Sequence, residues 1–243
     1  MEQRPQRAGG VAAVDRAFSL LAVFAAAEGT LSLAELARAS GLYKSTILRL
    51  LASLIRAGYV RQHGDGRYGA GSQVMQLARA YQRSFQLDDV LLPVLRRLCR
   101  ASGETASLFV PDGDARLCLR RIEPDRSIRI ALHEGDRLPL GRGSAGRVLS
   151  AFAADAPTTL ASVRERGWAA TRGERDPDAA SVSTVVFGEH GHVVGAIALS
   201  GPRERFTDTR VEEFVALLLE AAADLTLALG GDFPREWLPQ KAA

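Results

Sequence analysis

Residues 39–51, ASGLYKSTILRLL, run from a glycine turn into a helix with two unlike sides. Over residues 43–57, Ile47, Leu50, Leu51, Leu54 and Ile55 recur at the spacing of one helical face. Ser45, Arg49, Ser53 and Arg56 fall on the other side, with Lys44 and Thr46 at the N-terminal end. The apolar side needs a core. The polar side is short-chained and basic and carries no carboxylate, which generic solvation explains poorly. Small hydroxyls let a helix sit close to a nucleic-acid groove, and Arg and Lys reach phosphates or guanine edges. The preceding turn agrees. Ala37 is small enough for two helices to cross, Gly41 allows a sharp turn, and Ile47 plugs the crossing.

Working outward, residues 11–29 predict a helix, with Val14, Ala17, Phe18, Leu21 and Phe24 or Ala25 as its buried face. Ser32 and Glu35 form a capping box for a short helix ending at Gly41. After the 43–57 helix, Gly58 makes a stop, and YVRQHGDGRYGAG predicts a hairpin around Gly64-Asp65-Gly66. Helix, helix, turn, helix, hairpin is the order of a winged helix-turn-helix. Such a module can also bind protein; the basic side of its third helix favours DNA.

Residues 72–84 predict a linking helix and residues 88–104 another, with Pro93 about its first turn. Beyond Glu104, TASLFVPDGDARLCLRRIE predicts two strands around a Pro-Asp-Gly-Asp turn, and SIRIALHEG a third. GSAGRVLSAFAA and TTLASVRERG predict helices, and SVSTVVFGEHGHVVGAIALSG a hairpin. A long helix closes the chain, with Thr209 and Glu212 as its capping box. Strands with flanking helices over ~150 residues imply an α+β domain. The expected organisation is a disordered arm at 1–10, a winged helix-turn-helix at 11–71, a linker helix at 72–87, an effector domain at 88–234 and a tail at 235–243.

The totals fit a globular chain of 243 residues, 47% hydrophobic and 24% charged. No apolar run reaches the ~18 residues of a membrane span, and MEQRPQRAGG lacks the apolar core of a signal peptide. The cytoplasm is the expected location. Cys99 and Cys118 form neither a metal quartet nor a disulfide framework. Charge is divided unevenly. Residues 1–83 hold 11 Arg and Lys against 5 Asp and Glu, whereas the rest hold 20 against 23. A basic front on a slightly acidic body is the pattern of a nucleic-acid-binding module carried by another domain.

Four stretches of the head, VDRAFSLL, LSLAELARASGL, KSTILRLLASL and the wing GYV…GRYGAG, resemble the DNA-binding domain of IclR-family bacterial transcriptional regulators. The likeness continues through LCRASGETASLFVPDGDARLCLRRIE, RLPLGRGSAGRVLSAF, RGW…GERDPDAASVSTVVF and GHVVGAIALSGP. It implies a GAF-like effector domain, a homodimer or a tetramer built as a dimer of dimers, and double-stranded operator DNA as partner. Lys44, Ser45, Thr46 and Arg49 would enter the major groove, with Ser53 on the same side. Arg61, His63 and Arg67 in the wing would lie along the backbone or minor groove, and Arg4, Arg7 and Arg16 are further phosphate-contact candidates. Helices 72–84 and 88–103 would carry dimer contacts.

The Gly-Arg-Gly-Ser-Ala-Gly loop opens a helix, where free amides favour an anion. The resemblance makes it one wall of a pocket for a small-molecule effector, often an organic or aromatic acid. The matching positions are Ser144, Ala145, Thr171 or Arg172, Ser181 and Ser200, with Leu132 and Leu140 as apolar walls. The usual PLHxTAxGK reads PLGRGSAGR, the usual PGV reads Pro177-Asp178-Ala179, the common Cys is Ser181, and AAPVFD reads STVVFG. These departures leave effector identity open, and Arg142, Arg147 and Arg172 either make the pocket cationic or face solvent. An enzyme is the rival class. His190 and His192 in EHGH, and His133-Glu134, lack further ligands at metal-site spacing, and no nucleophile elbow or phosphate loop is present. The expectation is a regulator, more a repressor than an activator, with no metal and no cofactor; a ligand-independent regulator is the alternative.

Overall fold

The computed structural model describes residues 10–27, 29–84, 87–126 and 130–239. The chain divides into two compact units between Phe85 and Gln86. The helix expected as a separate linker therefore goes with the first unit.

The first unit runs α1 (Ala12–Ala25), α2 (Leu33–Ser40), α3 (Lys44–Arg56), β1 (Val60–Gln62), β2 (Tyr68–Ala70) and α4 (Ser72–Ser84). Leu20, Phe24, Leu36, Ile47, Leu51, Leu54, Val60 and Tyr68 form its core. The capping box of α2 is made: Ser32 N–H donates to Glu35 Oε2 at 2.7 Å, and Glu35 N–H donates to Ser32 Oγ at 3.3 Å. Gly41 ends α2 at φ 69°, a conformation that suits glycine, and donates to the Ala37 carbonyl at 3.0 Å. Ile47 is fully buried at the crossing. β1 and β2 pair antiparallel, and Leu31 adds a bridge to Tyr68. The face expected to be buried on α1 is only partly so. Leu20 and Phe24 are inside, but Val14 and Phe18 stay 46% and 64% exposed, because α2 and α3 cover the Leu20 side.

The second unit runs α5 (Asp88–Ser102), β3 (Thr105–Asp112), β4 (Ala115–Ile122), β5 (Arg137–Pro139), α6 (Ser144–Ala151), α7 (Ala161–Arg166), β6 (Trp168–Arg172), β7 (Ala179–Phe187), β8 (Val193–Pro202) and α8 (Asp208–Ala228). The strands form one antiparallel sheet in the order β5-β4-β3-β8-β7-β6. Strand parity sorts its faces. Ser181, Ser183 and Val185 of β7 point toward α6, and α6 and α7 cover a core with Phe109, Cys118, Ala169, Ala196 and Ala198. Helices α5 and α8 pack on each other and on the sheet, so the apolar side of α5 (Leu91, Val94, Leu95, Leu98) is buried inside its own unit.

Several expectations need correction. Of the strand placed at 127–135, residues 127–129 lie outside the described residues, and the described remainder is not a strand. Asp136 Oδ2 accepts the His133 amide at 2.7 Å and Gly135 takes φ 94°, which makes a turn and moves β5 to Arg137–Pro139. β6, unassigned from the sequence, pairs with β7 along its whole length. The cap of α8 is Thr207, whose Oγ1 accepts the Arg210 amide at 3.4 Å, so Thr209 lies inside the helix. Pro93 sits in the second turn of α5. The tail folds back as far as it is described: Trp237 donates to the Glu165 carbonyl at 2.7 Å and meets the Phe152 and Phe233 rings edge-on. Burial pushes the Cys118 thiol up to about 12 and raises that of Cys99, consistent with packing residues.

Candidate functional site

On α3 the two-sided pattern becomes a division of labour. Ile47, Leu51 and Leu54 anchor the helix in the head core. Lys44, Ser45, Arg49 and Ser53 are exposed, with Thr46 half-buried beside them. No side chain caps the N-terminus and no carboxylate lies in its first turn. Its first amides and the positive end of its dipole are therefore left for an outside acceptor. Tyr43, at the cap position, is 84% exposed, an aromatic hydroxyl at the mouth of the helix that sequence reading passed over.

The wing is less open than expected. Arg61 is exposed on β1. Arg67 is instead a clamp: Nε donates to Thr30 Oγ1 at 3.0 Å, and Nη2 donates to the Thr30 carbonyl at 2.6 Å and to Glu35 Oε2 at 2.9 Å. Its guanidinium is tied to the head through Nε and Nη2, with the side chain still partly exposed. His63 is half-buried beside Gly69, and its Nε2 is buried without a hydrogen-bond partner among the described residues. It too points inward. Arg16 is exposed on α1, whereas Arg4 and Arg7 lie outside the described residues.

In the second unit, Leu132, Ser144, Ala145, Thr171, Ser181 and Ser200 line one cavity, together with Phe109, Ile130, Leu138 and Ala198. The cavity is small, about 50 Å³. Its polar wall is a run of hydroxyls. Ser144 Oγ lies 2.7 Å from Ser181 Oγ and 2.6 Å from Ser183 Oγ, and Thr171 Oγ1 lies 3.2 Å from Ser181 Oγ. Ser181 and Ser200 face each other across the β7–β8 ladder. Two expected residues are not in the lining. Leu140 packs beneath it, with Leu138 in its place. Arg172 is on the outward parity of β6, donating to the Phe206 carbonyl at 2.9 Å and to Asp208 Oδ1 at 2.6 Å.

The charges at the cavity are not those the sequence suggested. Arg142 is exposed and Arg147 pairs with Glu174. Glu174 lines the cavity and also accepts the Gly143 amide at 2.9 Å, so the chain's own carboxylate takes the capping amide of α6. Arg116 and Arg175, neither picked out from sequence, complete the lining. Strand parity sets Arg116 on the face of Cys118, two residues on, but nothing local in the sequence marks that face as one that closes over a guanidinium. The paired histidines of EHGH make a tight turn, with His190 at φ 57° and His192 Nδ1 at 2.8 Å from the Glu189 carbonyl.

Two family models match the chain: the IclR helix-turn-helix domain over residues 13–64, and the bacterial transcriptional regulator IclR C-terminal domain over residues 79–159 and 156–227. Among similar proteins, the transcriptional repressor IclR of Escherichia coli K12 is 30% identical over 92% of each chain. The acetate operon repressor of Salmonella typhimurium is likewise 30% identical over 92% of each. The crystal structure of Thermotoga maritima IclR, 22% identical, superposes with a TM-score of 0.75 over 89% of this chain and 98% of its own. An IclR homolog of Microbacterium hydrocarbonoxydans, solved in complex with 4-hydroxybenzoate, gives 0.77 at 21% identity over 90% of this chain and 99% of its own. A helix-turn-helix head with an outward basic helix, joined to a sheet domain that matches along nearly its full length, places this chain in the IclR family of DNA-binding bacterial transcriptional regulators.

Proposed function

We propose that the chain is a repressor that grips operator DNA through the outer side of α3 and is controlled by a small organic or aromatic acid held in the cavity between α6 and β7. The observation that carries the reading is the exposed stripe Lys44, Ser45, Arg49 and Ser53 on a helix whose N-terminus is uncapped and free of carboxylates. Lys44 and the first amides would meet phosphate, Arg49 a base edge, and Arg61 the flanking backbone. Arg67 and His63 hold the wing in place.

Two relatives named as repressors and a structural neighbour carrying 4-hydroxybenzoate support the sign of regulation and the class of effector. A homodimer, or a tetramer of two such dimers, would set two recognition helices on half-sites about 34 Å apart. Acting on the chromosome, it would work in the cytoplasm. The test is to sequence the genomic fragments that the purified full chain retains at moderate salt, then to titrate the recovered operator with and without candidate acids. Enrichment of one palindromic site, and an acid that changes its affinity by about 5–150-fold, is the expected result. Retention of random duplex defeats the reading of α3. A site whose affinity no acid alters leaves a ligand-independent regulator.

A further inference from the structure

Strand β4 carries three buried arginines, and they are held differently. Arg120 is paired with Asp88 and Glu134. Arg121 is paired with Glu123 and donates to the Ile130 carbonyl. Arg116 is 3% exposed, and among the described residues no carboxylate pairs with it. Its Nη1 donates to the Pro139 carbonyl, its guanidinium carbon stands 5.5 Å from the centre of the Phe109 ring, and its Nε is buried with no acceptor. A buried guanidinium with a single carbonyl acceptor is costly to keep. Burial, with Arg175 nearby, lowers its pKa to about 10, which still leaves it charged at neutral pH.

Its position gives the charge a use. A Cβ at Gly143 would stand 3.2 Å from Arg116 Nη2, and one at Gly146 would stand 2.7 Å from Nη1. The guanidinium therefore lies against the opening turn of α6, where the amides of Ser144, Ala145 and Gly146 have no acceptor within the helix. Glu174 does not neutralise it, because that carboxylate is taken up by Gly143 N–H and Arg147.

We propose that Arg116 is the carboxylate-binding residue of this cavity, and that the ligand is a compact carboxylic acid seated between its guanidinium and the first amides of α6. The inference rests on the reading of the cavity as the effector site and narrows it. A guanidinium fork and a helix N-terminus both select a planar anion. A volume of about 50 Å³ holds on the order of four waters. That is room for an acid of roughly four to six non-hydrogen atoms; a benzoate needs the cavity to widen.

The test uses the full chain. Thermal unfolding and titration calorimetry are run with acetate, lactate and benzoate, each against its primary amide at matched ionic strength, on the wild type and on Arg116→Met and Arg116→Lys. A crystal soaked in bromide supplies a readout that needs no variant. Expected are binding of acetate or lactate and not of its amide, a loss of about tenfold or more in Arg116→Met, partial recovery in Arg116→Lys, and bromide within about 4 Å of the guanidinium. If Arg116→Met does not fold, the acid–amide comparison and the bromide site decide. Equal binding of acid and amide, or undiminished acid binding in Arg116→Met, removes Arg116 as anchor and leaves the cavity reading standing. No binding by any acid or amide, with no bromide at Arg116, defeats both.

Discussion

Arg49, Arg61 and Arg67 are one residue type within a single head, and their surroundings give them different work. Arg49 stands in the exposed stripe of α3, so Arg49→Ala should cost about 1–3 kcal/mol of operator binding and relax the preference at one base pair. Arg61 stands on the wing, and Arg61→Ala should weaken all sequences alike and reduce the salt slope by about one. Binding isotherms across operator variants and salt concentrations separate the two; equal loss on every operator for Arg49→Ala refutes its base-reading role. Arg67 should behave as neither. Its partners, Thr30 and Glu35, lie 37 and 32 residues upstream, beyond any local pattern, so sequence could mark it as a wing cation and not as a clamp. Arg67→Ala is expected to lower the melting temperature while leaving the salt slope of DNA binding unchanged. Arg116 was hidden for the same reason, since its burial depends on strands and loops distant in the chain.

Elements whose signals are local were readable at this level, and those set by tertiary pairing were not. The α2 capping box needs only Ser32 and Glu35 in register, and both reciprocal bonds are present. Ser32→Ala should cost about 0.5–2 kcal/mol of stability. Hydrogen bonds from the Ser32 amide and hydroxyl, with Arg67 beside it, hold the Glu35 carboxyl below its ordinary value. A depressed folded pKa stabilises the fold above the unfolded pKa and is lost as pH falls through the folded one. Urea midpoints followed from neutral to acid pH should therefore fall less in Glu35→Gln than in the wild type; parallel curves would remove the linkage. By contrast β6 is five residues long and exists through its pairing with β7, and β5 was displaced by the Asp136–Gly135 turn. The serines and Thr171 that line the cavity were placed by family resemblance. Arg172 differs from Thr171 by parity, which only the observed register assigns, whereas Leu140 shares the parity of Leu138 but lies just past the end of β5 at Pro139.

At the scale of the molecule, the uneven charge and the change from helices to strands point to the two-part organisation, but Val14 and Phe18, expected in the core, lie on an outer apolar surface. At the cap of α1 and along it, Val11, Val14 and Phe18 are exposed at spacings of three and four, and on α4 Val74, Leu77 and Tyr81 repeat the same spacing. Each helix thus carries an apolar stripe that its own unit leaves in water, with Met75 beside the second. Single exposed apolar residues are ordinary, whereas two such stripes in one small unit mark a candidate interaction surface, one that another chain could cover. If that chain is a second copy, Phe18→Glu combined with Leu77→Glu should yield monomers in sedimentation velocity with the helical circular dichroism retained. Without its tethered partner, each head binds a half-site alone, and operator affinity should fall by about 10²–10⁴-fold even though no DNA-facing residue has changed. Affinity for an isolated half-site should stay the same. A dimer that survives both glutamates would place the self-association elsewhere, whereas a monomer with undiminished operator affinity would mean that one head suffices and that the paired half-site geometry is wrong.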